Sequence, residues 1–136
     1  MSFIYQRMVR FHETDAAGVV YFANVLNLCH EAYEASLAAS GVNLKTFFGG
    51  GAIVVPIVHA AIDFRRPMFC GDRLKIHLTP QSKDANTFEI NYQITDSSDK
   101  PHLLASALTR HVCIGTAERN RHPLSPEIIQ WLHQWR

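Results

Sequence analysis

One stretch of this chain, residues 22–39, carries the period of a long helix, and it constrains everything around it. Phe22, Val25, Leu26, Cys29, Tyr33 and Leu37 recur at spacings of three and four, the stripe that one face of an α-helix presents. Ser40-Gly41 follows as a stop signal. The apolar positions spread around much of the circumference, so a partner wider than another helix is needed to bury them. Eighteen helical residues are about 27 Å long, and ten-residue strands span about 33 Å. A single helix and an antiparallel sheet of that length can therefore cover each other.

The rest of the chain supplies such a sheet. Residues 3–11 read as a first strand, and 12–21 as a loop containing Gly18. Thr46 to Gly51 ends in three glycines and reads as a flexible break. Ile53 to Phe64 is apolar for most of its length and rich in Val and Ile, the pattern of a strand buried on both faces. Pro67 and Gly71-Asp72 turn the chain. Leu74, Ile76 and Leu78, then Phe88, Ile90, Tyr92 and Ile94, alternate with polar residues at period two. Lys83 to Asn86 joins these two strands as a hairpin. Asp96 to Pro101 turns again, and Leu103 to Ile114 is the last strand. Ser125-Pro126-Glu127 caps a terminal helix of about ten residues. The order predicts an α+β fold in one domain, residues 1–136: a long central helix wrapped by a curved antiparallel five-stranded sheet, with a short C-terminal helix. Neither face of the last strand is strongly polar, so part of the outer sheet surface is expected to be covered by another copy of the chain.

Composition excludes several function classes. A net charge of +1 without a basic block gives no nucleic-acid footprint. No apolar run is long enough for a membrane span, and the first residues lack a signal-peptide core. The three cysteines, Cys29, Cys70 and Cys113, are odd in number and widely spaced, which reads as free thiols in a reducing compartment. A cytoplasmic location is expected. No Walker loop, GxGxxG or GxSxG segment is present. His30 with Glu34, and His59 with Asp63, match no metal-ligand set, so neither metal nor cofactor is expected.

The segment that can carry chemistry is Asp15-Ala16-Ala17-Gly18-Val19-Val20-Tyr21-Phe22-Ala23-Asn24. A carboxylate, with a reference pKa of about 4, sits in a loop feeding the start of the long helix. It can serve as nucleophile or as general base toward water. The first-turn N–H groups lie at the positive end of the helix dipole and suit an oxyanion. Ala16, Ala17 and Gly18 leave room for a ligand to approach the backbone. The plainer alternative is that Asp15 merely closes a surface loop. Arg65, Arg66, Arg110, Arg119 and Arg121 are candidates for phosphate groups, which the guanidinium fork binds well, with an ordinary solvated surface charge as the alternative. Tyr21, His59 and His111 are candidates to line an apolar pocket, with ordinary packing as the alternative.

Residues Glu13 to Asn24 resemble the signature of the 4-hydroxybenzoyl-CoA thioesterase family, which has the hotdog fold. The Asp, the Gly three residues on, the following Val and the aromatic leading into the helix all fit. Ile62-Asp63-Phe64-Arg65-Arg66-Pro67 to Gly71-Asp72 is similar to the family's second strand and its Gly-Asp turn. The likeness extends over about residues 3–117. It implies hydrolysis of an aromatic acyl-CoA, with Asp15 as the catalytic carboxylate and the Phe22 backbone N–H as the oxyanion donor. Gly18, Tyr21, His59, Arg65 and Arg66 would contact the substrate. The acyl group would lie between subunits of a homo-oligomer, a dimer or tetramer. Within the family, the branch that acts on a dihydroxynaphthoyl thioester in quinone biosynthesis is the most similar. Other members carry His or a polar residue at the position of Phe22, and a second branch uses a helix Glu; Glu31 and Glu34 are available for it but read as solvated or core-edge helix residues. The alternatives are a thioesterase for short aliphatic acyl-CoA or acyl-carrier-protein substrates, a non-catalytic thioester-binding module, and a dehydratase, for which no matching His motif exists.

Overall fold

The computed structural model describes residues 1–136. Its elements are β1 (Phe3–Met8), α1 (Phe22–Ala39), α2 (Leu44–Phe47), β2 (Ile53–Val54), β3 (Ile57–Phe64), β4 (Arg73–Ser82), β5 (Thr87–Asp96), β6 (Leu103–Val112), β7 (Ile114–Gly115) and α3 (Pro126–Trp135). Five strands form one sheet in the order β1-β4-β5-β6-β3, and every neighbouring pair is antiparallel. With the long helix against this sheet and a short helix at the end, the expected hotdog arrangement is present. No helix is long and apolar enough to cross a membrane.

The period-two strands set the core. Leu74, Ile76 and Leu78 of β4 and Phe88, Ile90, Tyr92 and Ile94 of β5 are buried with Val25, Leu28, Cys29, Ala32, Tyr33 and Leu37 of α1. Burying each large side chain of this kind contributes about 1.5–3 kcal/mol. α1 leans over β1 and β4. At its far end α3 closes the core: Trp131 is fully buried and donates its indole N–H to Ser36 Oγ at 2.9 Å. Ser125 caps α3 by accepting the Ile128 N–H.

Five sequence expectations change. The first strand ends at Met8 rather than residue 11, because the Glu13 carboxylate accepts the Arg10 N–H and folds Phe11–Glu13 into a 3-10 turn. Part of the 46–51 break is helical, since Asn43 caps α2 by accepting the Thr46 N–H. The strand expected over 53–64 breaks before Ile57 into β2 and β3, and β2 pairs with β7 rather than with the main sheet. Nor is β3 buried on both faces. It is an edge strand, and Ile57, Val58 and Phe64 are exposed. The last strand likewise ends at Val112, with Ile114–Gly115 a separate strand.

Candidate active site

The chain between β1 and α1 is a closed loop. Thr14 bridges Val20, the Asp15 N–H donates to the Val19 carbonyl at 2.9 Å, and the Gly18 N–H donates to the Asp15 carbonyl at 3.0 Å. This is a three-residue hairpin loop, Ala16-Ala17-Gly18, closed by a residue in the left-handed region. Gly18 takes that position with φ +81°, which a residue with a Cβ adopts only at a cost. Asp15 opens the turn, and its Oδ1 accepts the Ala17 N–H at 2.8 Å, as Asp commonly does at this position. The second carboxylate oxygen has no partner within the chain.

The loop is fastened on two sides. The Val20 N–H donates to the Met68 carbonyl at 2.8 Å, and the Tyr21 N–H to the Glu13 carbonyl at 2.9 Å. Tyr21 is the residue before α1 and gives it no side-chain cap. The N–H groups of Phe22 and Ala23 have no acceptor in the chain. They are the free donors that a helix start leaves over, and they carry the positive end of its dipole.

A cavity of about 380 Å³ lies between this loop and the segment that leaves β3. Asp15, Val19, Tyr21, Phe22 and Val25 line one side, and Phe64, Arg65, Arg66, Pro67 and Met68 the other. Val20, Val25 and Met68 form its buried floor, while the rings of Tyr21 and Phe22 stand exposed at the mouth, 4.9 Å apart and edge to face. The Arg65 and Arg66 N–H groups both donate to the Leu104 carbonyl, which fixes the start of the segment. Neither guanidinium has an acidic partner, whereas Arg7 is paired with Glu13 and Glu31 and Arg110 with Glu89. The site therefore combines an apolar slot, a carboxylate oxygen, unpaired helix-end donors and two free cations.

Of the residues singled out by sequence, Asp15, Tyr21, Phe22, Arg65 and Arg66 meet in this cavity. Gly18 shapes the turn and does not line the cavity. His59 is not brought to it: its register partner is Arg110, which in turn pairs with Glu89, on the sheet face away from α1. His111 lies in the core, stacked on Phe88 at 4.6 Å, with Nε2 2.8 Å from Thr109 Oγ1. Burial holds its pKa down to about 3. Glu31 accepts from Arg7 and Tyr5, and Glu34 pairs with His30 at 2.6 Å. Arg119 and Arg121 do not line the cavity. Sequence reasoning missed Phe64, Pro67 and Met68 as its opposite wall. Only the Arg65-Arg66-Pro67 run hinted that the end of β3 faces the loop.

The thioesterase-like superfamily model matches residues 9–132. A Nostoc punctiforme protein named 1,4-dihydroxy-2-naphthoyl-CoA hydrolase is 56% identical over 132 residues, covering 97% of this chain and 87% of the relative. A Trichodesmium erythraeum protein of the same name is 55% identical, covering 97% and 96%. The crystal structure of Slr0204, a 1,4-dihydroxy-2-naphthoyl-CoA thioesterase from Synechocystis, superposes with a TM-score of 0.92 at 41% identity, covering 98% of this chain and 96% of that one.

Proposed function

This chain belongs to the thioesterase-like superfamily, and from that premise we propose that it hydrolyses an aromatic acyl-CoA thioester, 1,4-dihydroxy-2-naphthoyl-CoA, to the free acid and CoA. One observation carries the proposal beyond kinship. The unengaged oxygen of Asp15 and the unpaired donors of Phe22 and Ala23 belong to residues of one loop and helix start, beside one apolar slot.

In this reading the thioester carbonyl oxygen accepts the Phe22 N–H, and the flat acyl group lies against Tyr21, Phe22, Val25 and Phe64. Asp15 acts on the carbonyl carbon by one of two routes. As general base it takes a proton from water, whose oxygen adds to the carbonyl carbon. As nucleophile it forms an anhydride that water then opens. In both routes the C–S bond breaks, sulfur leaves as the CoA thiolate, and a proton from water ends on sulfur or in solvent. Removing one such oxyanion donor typically costs about 2.7–4 kcal/mol of transition-state stabilisation. Arg65 and Arg66, lacking acidic partners, suit the CoA phosphates.

The working unit is read as a homo-oligomer of one-domain subunits. β3 presents an unpaired edge with exposed Ile57, Val58 and Phe64, the last at the cavity, and a second copy supplies the cover such an edge requires. A dimer or a tetramer satisfies this, and light scattering showing a stable monomer contradicts it. The three free cysteines fit a cytoplasmic place in phylloquinone or menaquinone synthesis.

The test is thiol release from a panel of CoA esters. Dihydroxynaphthoyl-CoA is expected to be turned over with a higher kcat/KM than benzoyl or short aliphatic esters. Preference for an aliphatic ester or an acyl-carrier-protein thioester overturns the substrate, and silence toward every thioester overturns the enzyme.

A further inference from the structure

Asp15 and the helix donors belong to different pieces of backbone, and their relative position has to be held by something. Glu13 stands between them. Its carboxylate is almost wholly buried: Arg7 Nη1 reaches its two oxygens at 2.8 and 2.6 Å, and the Arg10 N–H adds a bond at 2.8 Å. Arg7 is itself held by Glu31 at 3.0 Å. The Glu13 main-chain carbonyl is thus fixed relative to β1. It accepts two donors from the helix start, the Tyr21 N–H at 2.9 Å and Asn24 Nδ2 at 3.0 Å. Asn24 sits at the third helical position, where a polar side chain ordinarily reaches back to the residue just before the helix. Here it reaches back eleven positions. Its amide orientation is set from the other side, because Asn24 Oδ1 accepts Asn27 Nδ2 at 3.1 Å.

We propose that Asn24 is a positioning residue that, through the Glu13 carbonyl, fixes the Asp15 loop against the first turn of α1. Asp15 follows Glu13 by two residues, and Phe22 precedes Asn24 by two. The side-chain bond closes that loop at its neck and sets where the carboxylate stands relative to the Phe22 N–H. The Tyr21 N–H bond to the same carbonyl survives loss of the Asn24 side chain, so the fold survives while the alignment loosens. The kinetic consequence rests on the hydrolase reading above. The structural consequence does not.

Two variants and two readouts test it. In Asn24→Ala, kcat for the naphthoyl thioester is expected to fall about 10- to 100-fold with KM within about threefold, since misplacing a reacting group by about 1 Å can cost on the order of 100-fold. Amide exchange across residues 15–23 is expected to quicken, with that of α3 unchanged. Asn24→Asp separates positioning from helix capping. A carboxylate in the first turn suits the helix dipole, yet once ionised it cannot donate to the Glu13 carbonyl. Positioning therefore requires kcat to stay low at neutral pH, whereas a capping role leaves this variant as active as the wild type. A kcat for Asn24→Ala within about threefold of wild type, unchanged exchange in residues 15–23, or full activity in Asn24→Asp overturns the inference. If the wild type hydrolyses no thioester, the hydrolase reading fails, and the exchange comparison alone decides the role of Asn24.

Discussion

Asp15 accepts the Ala17 N–H through Oδ1 at 2.8 Å and leaves its other carboxylate oxygen unengaged beside the cavity. The loop-closing role and the chemical role, which compete at the level of sequence, thus fall on different oxygens of one side chain. Asparagine keeps the first and loses the second. Asp15→Asn is expected to fold with stability within about 0.5 kcal/mol of wild type, as exposed substitutions usually do. Its turnover should drop by about 10²–10⁴, the typical contribution of a general base. Thermal melts and thiol release on the same preparation check both halves, and full turnover in this variant removes Asp15 from the mechanism.

A backbone donor can be deleted where proline is tolerated, and Phe22 occupies such a place. It is the first residue of α1, whose N–H has no acceptor, and Tyr21 before it is extended at φ −61° and ψ 133°. Proline fits a first helical position, and an extended residue before it avoids the usual clash. Phe22→Pro is therefore expected to keep α1 intact by circular dichroism. Compared with Phe22→Ala, which loses the ring alone, its kcat should be lower by about 10²–10³. Equal kcat values in the two variants exclude this N–H as the oxyanion donor.

The long helix was legible because its apolar spacing and its Ser40-Gly41 stop are local signals, and α1 occupies residues 22–39 as read. The β4–β5 hairpin was legible for the same reason. What escaped depends on placement. Ile53 to Phe64 has the composition of a strand covered on both sides, but whether a neighbour covers it depends on the strand order, and a single chain leaves β3 at the edge. His59 was a candidate to line the pocket, with Tyr21 and His111. Strand parity turns it to the other face with Arg110 and Glu89, and the register shift between Ile57 and His59 adds an irregularity that no pattern announces. Glu13 and Asn24 stayed silent because their bond joins residues whose separation follows no local period.

Gly18 holds the turn that presents Asp15. A Cβ there meets nothing within 4 Å, so the cost of substitution is purely that of its φ of +81°. For a residue with a Cβ that conformation costs roughly 1–2 kcal/mol, less for Asn and more for β-branched residues. Stability and turnover are expected to fall in the order Gly, Asn, Ala, Val at this position. Equilibrium urea unfolding alongside thiol release reads the series, and a Val variant equal to wild type in both contradicts the strained turn.

His111 gives the fold a built-in sensitivity to acid. The ring is fully buried, stacked flat on Phe88 at 12° between planes, and its Nδ1 has no partner. Desolvation first, and the nearby His30 second, hold its pKa down to about 3. An unfolded chain binds this proton near pH 6.5, so between pH 6.5 and about 3 the unfolded state holds more protons than the native one. Stability is then fully present above pH 6.5 and declines as pH falls, with a slope approaching about 1.4 kcal/mol per pH unit. Glu89 and Asp96, held low by Arg110 and by Ser98 respectively, add acid sensitivity of the same sign. Both carboxylates are common to the wild type and a histidine variant, so comparing the two proteins from pH 6.5 to 4.5 isolates the histidine. Phenylalanine preserves a flat ring on Phe88 and removes the titrating nitrogens. Across that interval the wild type should lose roughly 2 kcal/mol more than His111→Phe in urea unfolding. The lost contact with Thr109 lowers the variant by a constant amount at every pH and leaves this difference in slope untouched. Parallel pH profiles for the two proteins mean that His111 titrates as it does in water and that the core around Phe88 is open to solvent.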